Sequence, residues 1–409
     1  MKLSASEKAM LNGECGSVVQ VAISHQLKVG NFFGAADFVE VSQAHVMADT
    51  ESLGEAGVQW LEDLAMRAST EGCVRIPTIT DPRGTDFSKA HLLKQTDAML
   101  SLEERAIHAF SKLGVTMTDT CINYQTIMAP ILGEHVAFGD TGVVIYSNSV
   151  CGALSNFEGG PSALSAGLTG RTPRYGYHLE SRRRPTHRIR VRYEPKTLNE
   201  WGSLGGLIGR QTRNYWSVPY IEGIEGVPSS DALKHFGAAM ASFGSVALFH
   251  IDGVTPEARI DPTLNSRELP TEDINESDIR ALQKTYRVSD TVDVVVFSAP
   301  QLSIFELRDL AGLCDGKHFK LPLLAVTSPQ VKPDSDRMGY TSKIEAAGGT
   351  VFSGMCFYQS YAREIAEANG WKRLVTNSAK MVNILGGYGY VPMLASMEEC
   401  VQSAVTGKL

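Results

Sequence analysis

Short runs of apolar, β-branched residues alternate with longer segments of helical periodicity along most of the 409-residue chain. The runs that fit β-strands are 38–41, 73–78, 115–119, 142–146, 188–193, 245–251, 291–297, 323–327, 350–353 and 374–376. Strands that alternate with helices are typical of α/β proteins with mostly parallel sheets. A chain of this length can also bury more than one core. The sequence therefore predicts an α/β fold with mostly parallel sheets in two or three sub-domains.

Local signals indicate where helices begin and where the chain divides. Ser-x-x-Glu patterns that start at Ser101, Ser303 and Ser342 fit capping boxes, in which a hydroxyl and a carboxylate satisfy free N–H groups of the first helical turn. The polar segment 255–272 is rich in proline, which predicts either a sub-domain break near 255–272 or a surface excursion.

Composition argues against several classes of protein. Charged residues make up 20% of the chain and the net charge is −7, so no basic field attracts nucleic acid or an anionic membrane surface. No run of about 18 apolar residues predicts a membrane helix, and the first residues lack the apolar core of a signal peptide. The 7 cysteines are scattered without a Cys-x-x-Cys pair, which argues against a disulfide framework. We therefore expect a cytoplasmic protein with no nucleic-acid partner and no membrane partner.

Polar residues cluster after several of the predicted strands. The clusters are 118–124, 146–151, 249–257, 298–303, 353–356 and 376–380. Because ligands of α/β sheets bind outside the carboxyl ends of the strands, these clusters are candidate site segments. Each signal alone also has a structural interpretation, since His250 could be a core histidine, Lys380 a surface lysine and a lone cysteine a small apolar residue. The chain has no P-loop, nucleophile elbow or His-Glu-x-x-His pattern, so spacing alone indicates an enzyme-like α/β protein and no particular reaction.

Taken in order, a series of motifs resembles the large subunit of the aconitase X family. The motifs are Ser42-Gln43-Ala44-His45, Asp119-Thr120-Cys121, His135-Val136-Ala137-Phe138-Gly139-Asp140, Ser147-Asn148-Ser149-Val150, Glu158-Gly159-Gly160-Pro161-Ser162-Ala163-Leu164, Leu168-Thr169-Gly170-Arg171-Thr172-Pro173, Tyr175-Gly176-Tyr177-His178-Leu179, Gly253-Val254-Thr255-Pro256-Glu257-Ala258 and Thr376-Asn377-Ser378-Ala379-Lys380. The resemblance extends over the whole chain and closes with the tail that begins at Glu399-Cys400-Val401.

This resemblance implies an aconitase-like, multi-layer fold over residues 1–409 and a hydro-lyase activity on a small hydroxy acid. The family's activities imply dehydration of cis-3-hydroxy-L-proline to a pyrroline carboxylate, with mevalonate 5-phosphate as the alternative substrate. In that alternative Arg171 and residues 182–184 would contact the phosphate. The resemblance also implies a separate small, swivelling subunit, because the small domain is absent from this chain. An alternative of another class is a non-catalytic scaffold or regulatory subunit that has lost the cofactor.

The resemblance and the polar clusters together imply the site residues. Those expected to act in catalysis are His45, Asn148, Ser149, His250 and Lys380. Those expected to bind substrate are Asn123, Tyr124, Arg171, His178, Glu257, Asn377 and Ser378.

The family also implies an iron–sulfur cluster (2Fe–2S or larger) or iron, held by three cysteines. Cys121 and Cys356 match two of these cysteines. The third lies in a Gly-Cys-Pro-His segment of the family, which here reads Ser298-Ala299-Pro300-Gln301. Alanine cannot ligate iron, so the three-thiolate set is incomplete and Cys151 is a candidate replacement ligand. The alternatives are a mononuclear metal, a cluster that has an oxygen or nitrogen ligand, and a site that binds no metal.

Overall fold

The computed structural model describes residues 1–71, 73–266 and 268–409, with the backbone alone at 69–71. Across these residues the strands form three parallel sheets and one short antiparallel pair, and helices pack against them. This arrangement confirms the predicted α/β class with mostly parallel sheets. Within the same residues no helix combines the length and the apolar character that a membrane crossing requires.

The first part of the chain contains a small parallel sheet between helices. Its strands, together with an antiparallel pair, are β1 (Phe38–Glu40), β2 (Ala44–Val46), β3 (Thr78–Thr80), β4 (Ala137–Phe138) and β5 (Arg171–Pro173). Its helices are α1 (Ala5–Leu11), α2 (Ser17–Phe32), α3 (Thr50–Glu71), α4 (Asp97–Lys112), α5 (Asn123–Thr126), α6 (Thr141–Tyr146) and α7 (Gly160–Thr169). The parallel sheet has the order β3-β2-β4, and β1 pairs with β5.

The middle of the chain forms a four-stranded parallel sheet. Its elements are β6 (His187–Val191), α8 (Leu198–Thr212), β7 (Pro219–Glu222), α9 (Ser230–Gly244), β8 (His250–Ile251), α10 (Pro256–Ile260), β9 (Thr271–Ile274) and α11 (Glu276–Thr285). The strand order is β8-β7-β6-β9. Helices α8 and α9 approach so closely that a Cβ added to Gly205 would lie 2.0 Å from the carbonyl oxygen of Phe236. Glycine is therefore required at this crossing.

The last part of the chain forms a five-stranded parallel sheet with the order β12-β11-β10-β13-β14. Its strands are β10 (Val294–Leu302), β11 (Leu323–Thr327), β12 (Gly349–Ser353), β13 (Arg373–Thr376) and β14 (Val391–Leu394). Its helices are α12 (Ile304–Cys314), α13 (Lys332–Arg337), α14 (Tyr340–Ala346), α15 (Ala362–Asn369), α16 (Ala379–Leu385) and α17 (Met397–Thr406). One large apolar core joins this sheet to the helices of the middle sheet.

Most of the predicted strands are confirmed, and four are wrong in whole or in large part. Run 142–146 is helix α6, because Asp140 caps it by accepting the N–H of Val143, and a short buried apolar run fits a helix as well as a strand. Run 115–119 makes only an isolated bridge at Thr116 and ends at Asp119, whose positive φ of 52° turns the chain. Runs 73–78 and 245–251 contribute only their last residues to strands.

The capping boxes have mixed outcomes. The box of Ser303 and Glu306 is confirmed at the start of α12. The other two are wrong, because α4 begins earlier, after Thr96, and α14 begins after Gly339. Segment 255–272 lies between β8 and β9 of the middle sheet. A sub-domain break there stays a prediction.

Candidate active site

The carboxyl ends of the first and last sheets meet around one buried polar centre. His45 lies in β2, Asp81 directly follows β3, and Asp140 follows β4. From the other side come Cys356, which follows β12, and Lys380, in the first turn of α16 after β13. In parallel sheets all strands end at the same edge, so two facing sheets can bring residues distant in sequence to one place.

Lys380 and Asp140 form the charged pair of this centre. Their Nζ and Oδ2 atoms are 3.3 Å apart, and each side chain is only 4% exposed. Burial alone would raise the pKa of Asp140, but the Lys380 ammonium holds it below its usual value. Burial likewise opposes the charge on Lys380, but Asp140 raises the pKa of its ammonium. Both groups are therefore ionised, and the charge of the Lys380 ammonium is balanced by that of the Asp140 carboxylate.

His45 and Asp81 are two neighbouring groups in their neutral forms. The His45 Nε2 atom lies 2.8 Å from the Thr120 carbonyl oxygen, so Nε2 carries the proton and Nδ1 presents a lone pair. Burial lowers the pKa of His45. Burial, and then the negative charge of Asp140, raises the pKa of Asp81 well above its usual value. The centre therefore holds a base, His45 Nδ1, close to an acid, the Asp81 carboxyl.

Two atoms of this pair have no hydrogen-bond partner among the described residues. They are His45 Nδ1 and Asp81 Oδ1, both fully buried. Asp81 Oδ1 lies 3.6 Å from His45 Nε2, too far for a hydrogen bond. The other carboxylate oxygen of Asp81 accepts from the Gln359 amide at 3.4 Å, and that amide also donates to Asp49 at 3.2 Å. A buried polar atom without a partner is costly, so these two atoms are free to engage a bound molecule.

The thiols of Cys121 and Cys356 border the same centre. Burial above all, and then the nearby carboxyl groups of Asp81 and Asp140, raises the pKa of Cys121 to about 12. The pKa of Cys356 is raised well above its usual value, first by burial and then by the nearby Cys121. Both groups are therefore neutral thiols in the protein alone, and a bound cation would be needed to hold them as thiolates.

These thiols decide which cofactor the centre could hold. Among the described residues no group of three or more His, Cys, Asp and Glu side chains is arranged to hold a metal ion. The thiols of Cys121 and Cys356 are the two groups at this centre that could attach such a cofactor. Ala299, in β10, has a methyl side chain and cannot supply a third thiolate.

A second polar cluster contains further residues that the sequence singles out. The His250 Nε2 atom lies 2.8 Å from the Arg183 carbonyl oxygen, and Nδ1 lies 3.7 Å from Glu257. The Arg183 guanidinium donates to Glu257 at 2.6 Å and to the backbone carbonyl of Asn148 at 3.0 Å. Ser149 accepts the N–H of Phe249 at 2.9 Å. His250, Asn148, Ser149 and Glu257 thus lie together, apart from the contacts of the Lys380 pair.

The remaining predicted residues are distributed over several places. Tyr124 stacks on Tyr146 with ring centroids 3.9 Å apart, and the charge of Cys121 contributes to its raised pKa after burial. Asn123 donates to the Met128 carbonyl at 3.2 Å. Ser378 donates to the Ala299 carbonyl at 2.7 Å and so borders the centre.

Four more predicted residues have surroundings of their own. Asn377 borders a separate cavity of about 520 Å³ beside α8. Arg171 pairs with Glu7 at 2.8 Å. His178 Nδ1 lies 2.9 Å from the corresponding nitrogen of His135. Cys151 ends a π-helical turn, and its raised pKa of about 11 reflects burial and then Glu134. Their roles, and those of the second cluster, stay predictions.

Sequence reasoning assigned no role to two carboxylates of the centre, Asp81 and Asp140. Asp81 directly follows β3, and Asp140 follows β4 after one intervening glycine, so both come after short buried strands of the first sheet. That position is the signal which could have identified them, because it is the same strand-end rule that selected Lys380 and Cys356. The sequence does not single out Asp81 because the predicted strand, 73–78, ends before β3 does, and Asp81 therefore does not follow it directly.

Two facing α/β sheets around a buried acid–base centre define an enzyme, and comparisons with known proteins identify its family. The first-domain model of Aconitase X matches residues 1–181, the second-domain model residues 185–284 and the third-domain model residues 292–406. The chain belongs to the aconitase X family, and it is a hydro-lyase. The resemblance inferred from the motifs is thereby confirmed.

Relatives and a solved structure support the same assignment. The chain is 35% identical over 389 residues to the phosphomevalonate dehydratase large subunit of Methanothermobacter thermautotrophicus, covering 94% of each chain. It is 28% identical over 421 residues to the cis-3-hydroxy-L-proline dehydratase of Pseudomonas aeruginosa, covering all of this chain and 70% of that longer protein. The crystal structure of Thermococcus kodakaraensis aconitase X in its holo-form superposes with a TM-score of 0.89 at 29% identity and covers 99% of this chain.

Proposed function

We propose that the protein removes water from a small hydroxy acid at the centre formed by His45, Asp81, Asp140 and Lys380. The observation that carries this proposal is the pair of buried atoms without partners, His45 Nδ1 and Asp81 Oδ1, beside an ionised lysine. Dehydration needs a base that takes a carbon-bound proton and an acid that protonates the leaving hydroxyl group. A basic nitrogen and a protonated carboxyl in one buried centre provide both.

In this proposal the substrate carboxylate lies against the Lys380 ammonium, which Asp140 holds in place. His45 Nδ1 removes a proton from the carbon next to the carbinol carbon. The electron pair forms the double bond, the C–O bond breaks, and the Asp81 proton leaves with the hydroxyl group as water. The resulting imidazolium and carboxylate are neighbours, so their attraction favours this charge separation. Loss of the proton from His45 Nδ1 and uptake of a proton by Asp81 then restore the starting state.

The proposed cofactor is iron or an iron–sulfur cluster attached through Cys121 and Cys356. When bound, such a group supplies a Lewis acid that assists departure of the hydroxyl group. The location of both thiols at one buried centre supports this attachment, and their raised pKa values mean that a bound cation would have to displace their protons. Cys151 lies instead at the end of the π-helical turn, and its role as a ligand stays a prediction.

Two substrates follow from the resemblance, and the names of the relatives support both. The expected substrate is cis-3-hydroxy-L-proline, for which one group of relatives is named. Mevalonate 5-phosphate is the second candidate, and the large subunits named for phosphomevalonate dehydration support it because they match this chain over nearly their full length. Their name also supports a separate small subunit as a partner of this chain.

The experiment is to produce the chain with a small protein encoded beside its gene, purify both without oxygen, and assay the two candidate substrates. Dehydration of either one, abolished by Lys380→Met but retained in Lys332→Met, would support the proposal. Lys332 is the matched control because it forms an ordinary surface pair with Asp336. A stable complex that dehydrates neither substrate would refute the assignment of substrate and favour the scaffold or regulatory alternative.

A further inference from the structure

Gln301 lies between the two loops that carry the cysteines of the centre. Its side-chain oxygen accepts the N–H of Cys121 at 3.3 Å, and its backbone N–H donates to the Cys121 sulfur at 3.4 Å. The side-chain NH₂ donates to the Asp119 carbonyl at 3.1 Å and to the Met355 carbonyl at 3.3 Å. Gln301 is fully buried. A single side chain therefore connects the segment before Cys356 to the segment around Cys121.

Only a carboxamide satisfies this set of partners. The site presents one donor, the Cys121 N–H, and two acceptors, the carbonyls of Asp119 and Met355. A carboxamide offers one acceptor oxygen and two N–H donors, so every group is matched and the orientation of the amide is determined. A glutamate carboxylate would face two carbonyl oxygens with no proton between them, and an apolar side chain would leave three buried groups unpaired.

A buried ionic network also holds the backbone of Gln301. Its carbonyl oxygen accepts from the Lys234 ammonium at 3.1 Å, and Lys234 also pairs with Glu306. Glu306 accepts from His235 at 2.7 Å and from the N–H of Ser303 at 2.9 Å. These bonds anchor the end of β10 to α9 and to the start of α12. The residue that joins the cysteine loops thus has a rigid support.

We propose that Gln301 is a positioning residue, which holds Cys121 and Cys356 in fixed relation across the junction of the first and last sheets. The inference rests on the proposed function for the purpose of the thiol pair, but its geometry does not depend on any substrate. Cys121 and Cys356 come from parts of the chain far apart in sequence, so no local secondary structure fixes their separation. Arg83 links the two segments through its ion pair with Asp119 and its backbone bond with Cys356, and Gln301 links them through its amide.

The test compares Gln301→Ala, Gln301→Glu and the parent protein by the alkylation rate of each cysteine with iodoacetamide, measured by peptide mass spectrometry. Cys314 and Cys400 are internal controls, because both are fully buried and belong to the apolar core. Loss of the amide opens the two loops locally, so we expect Cys121 and Cys356 to react about tenfold faster or more while the control cysteines do not change. Gln301→Glu should match or exceed Gln301→Ala.

Gln330→Ala is the matched control variant. Its side chain donates to the Thr118 carbonyl at 2.9 Å rather than bridging the two cysteine loops, so the substitution should leave the rates of both thiols within about twofold. Faster reaction of all four cysteines in the Gln301 variants would show general destabilisation and overturn the inference. Faster reaction of Cys121 alone, or unchanged rates for both Cys121 and Cys356, would also overturn the inference. Alkylation does not require catalytic activity. The alkylation rates can therefore be interpreted even if neither substrate is dehydrated.

Where dehydration is observed, the kinetic constants provide a second readout. A residue that positions the thiols should lower kcat of the Gln301→Ala variant by about tenfold or more and leave KM nearly unchanged, because it does not touch substrate. A rise in KM at constant kcat would contradict the positioning role.

Discussion

Replacing Lys380 by methionine removes the charge that balances Asp140 in a buried setting. The two atoms are 3.3 Å apart and both side chains are 4% exposed. At an effective dielectric constant of about 20, two unit charges at this separation attract by about 5 kcal/mol. Because one charge then stays buried and unpaired, we expect Lys380→Met to lower the free energy of unfolding by about 3–5 kcal/mol near neutral pH.

The pH dependence of this loss has a definite sign. With Lys380 present, the pKa of Asp140 lies below its usual value, and its carboxylate stabilises the fold above that value. Without Lys380, burial would raise the pKa of Asp140, so a proton can neutralise it as the pH falls. The destabilisation by Lys380→Met should therefore shrink on going from neutral to acidic pH.

The double variant Lys380→Met, Asp140→Asn separates stability from activity. It removes both charges, and asparagine can still accept the N–H of Val143 at the start of α6. We expect its free energy of unfolding to return to within about 2 kcal/mol of the parent protein. Dehydration should stay about 10²–10³-fold below the parent value, since the substrate carboxylate has lost its cation.

Urea unfolding followed by circular dichroism, with initial rates on the same preparations, measures both quantities. Lys332→Met is the control, because its exposed pair with Asp336 should contribute no more than about 1 kcal/mol. If the losses of the two single variants simply add in the double variant, Lys380 and Asp140 do not act as a pair. Full activity in the double variant would refute the role of Lys380 in binding the carboxylate.

Three further predictions follow from different parts of the molecule. Cys121→Ser should remove bound iron and sulfide, measured colorimetrically, whereas Cys151→Ser should retain both; loss in the second variant instead would make Cys151 the ligand. The pH–rate profile should be bell-shaped, because the rate falls at low pH as His45 gains a proton and at high pH as Asp81 loses one. Burial is the main cause that lowers the pKa of His45 and raises the pKa of Asp81. A flat profile would contradict the assignment of these two residues. Gly205→Ala should lower the free energy of unfolding by about 1–3 kcal/mol, read from thermal denaturation, because its Cβ would lie 2.0 Å from a carbonyl oxygen of α9; unchanged stability would show that the helices can separate freely.

Three strands of the last sheet, β11, β12 and β13, could be predicted from the sequence because they are short, β-branched and bounded by turns. Strand β14 matches none of the predicted runs, and run 291–297 covers only the first part of β10. Run 323–327 agrees with β11 at both ends, and 350–353 and 374–376 each miss one residue. Run 142–146 has the same composition and is helix α6. Run 142–146 differs because the carboxylate of Asp140 caps it at its N-terminus. A short apolar run fits a helix or a strand equally well, and the cap favours the helix.

The candidate centre could be predicted in part. Strand-end positions and motifs identify His45, Cys121, Cys356 and Lys380, and the structure brings all four to one place. The same reasoning groups His250 with them, yet its contacts are with Arg183 and Glu257. Motif order carries no information about which sheet edges face each other, because that depends on tertiary packing.

The position of this centre at the junction between two sheets predicts that it is sensitive to single side chains. His45, Asp81 and Asp140 come from the first sheet, while Lys380 and Cys356 come from the last. Their separation is therefore set by how two sheets pack and by the few side chains that cross between them. The bond of Lys380 with Asp140 is one such crossing, and the amide of Gln301 is another. We therefore expect a change at either crossing to displace groups on both sides, so that Gln301 should influence the proposed reaction without binding substrate.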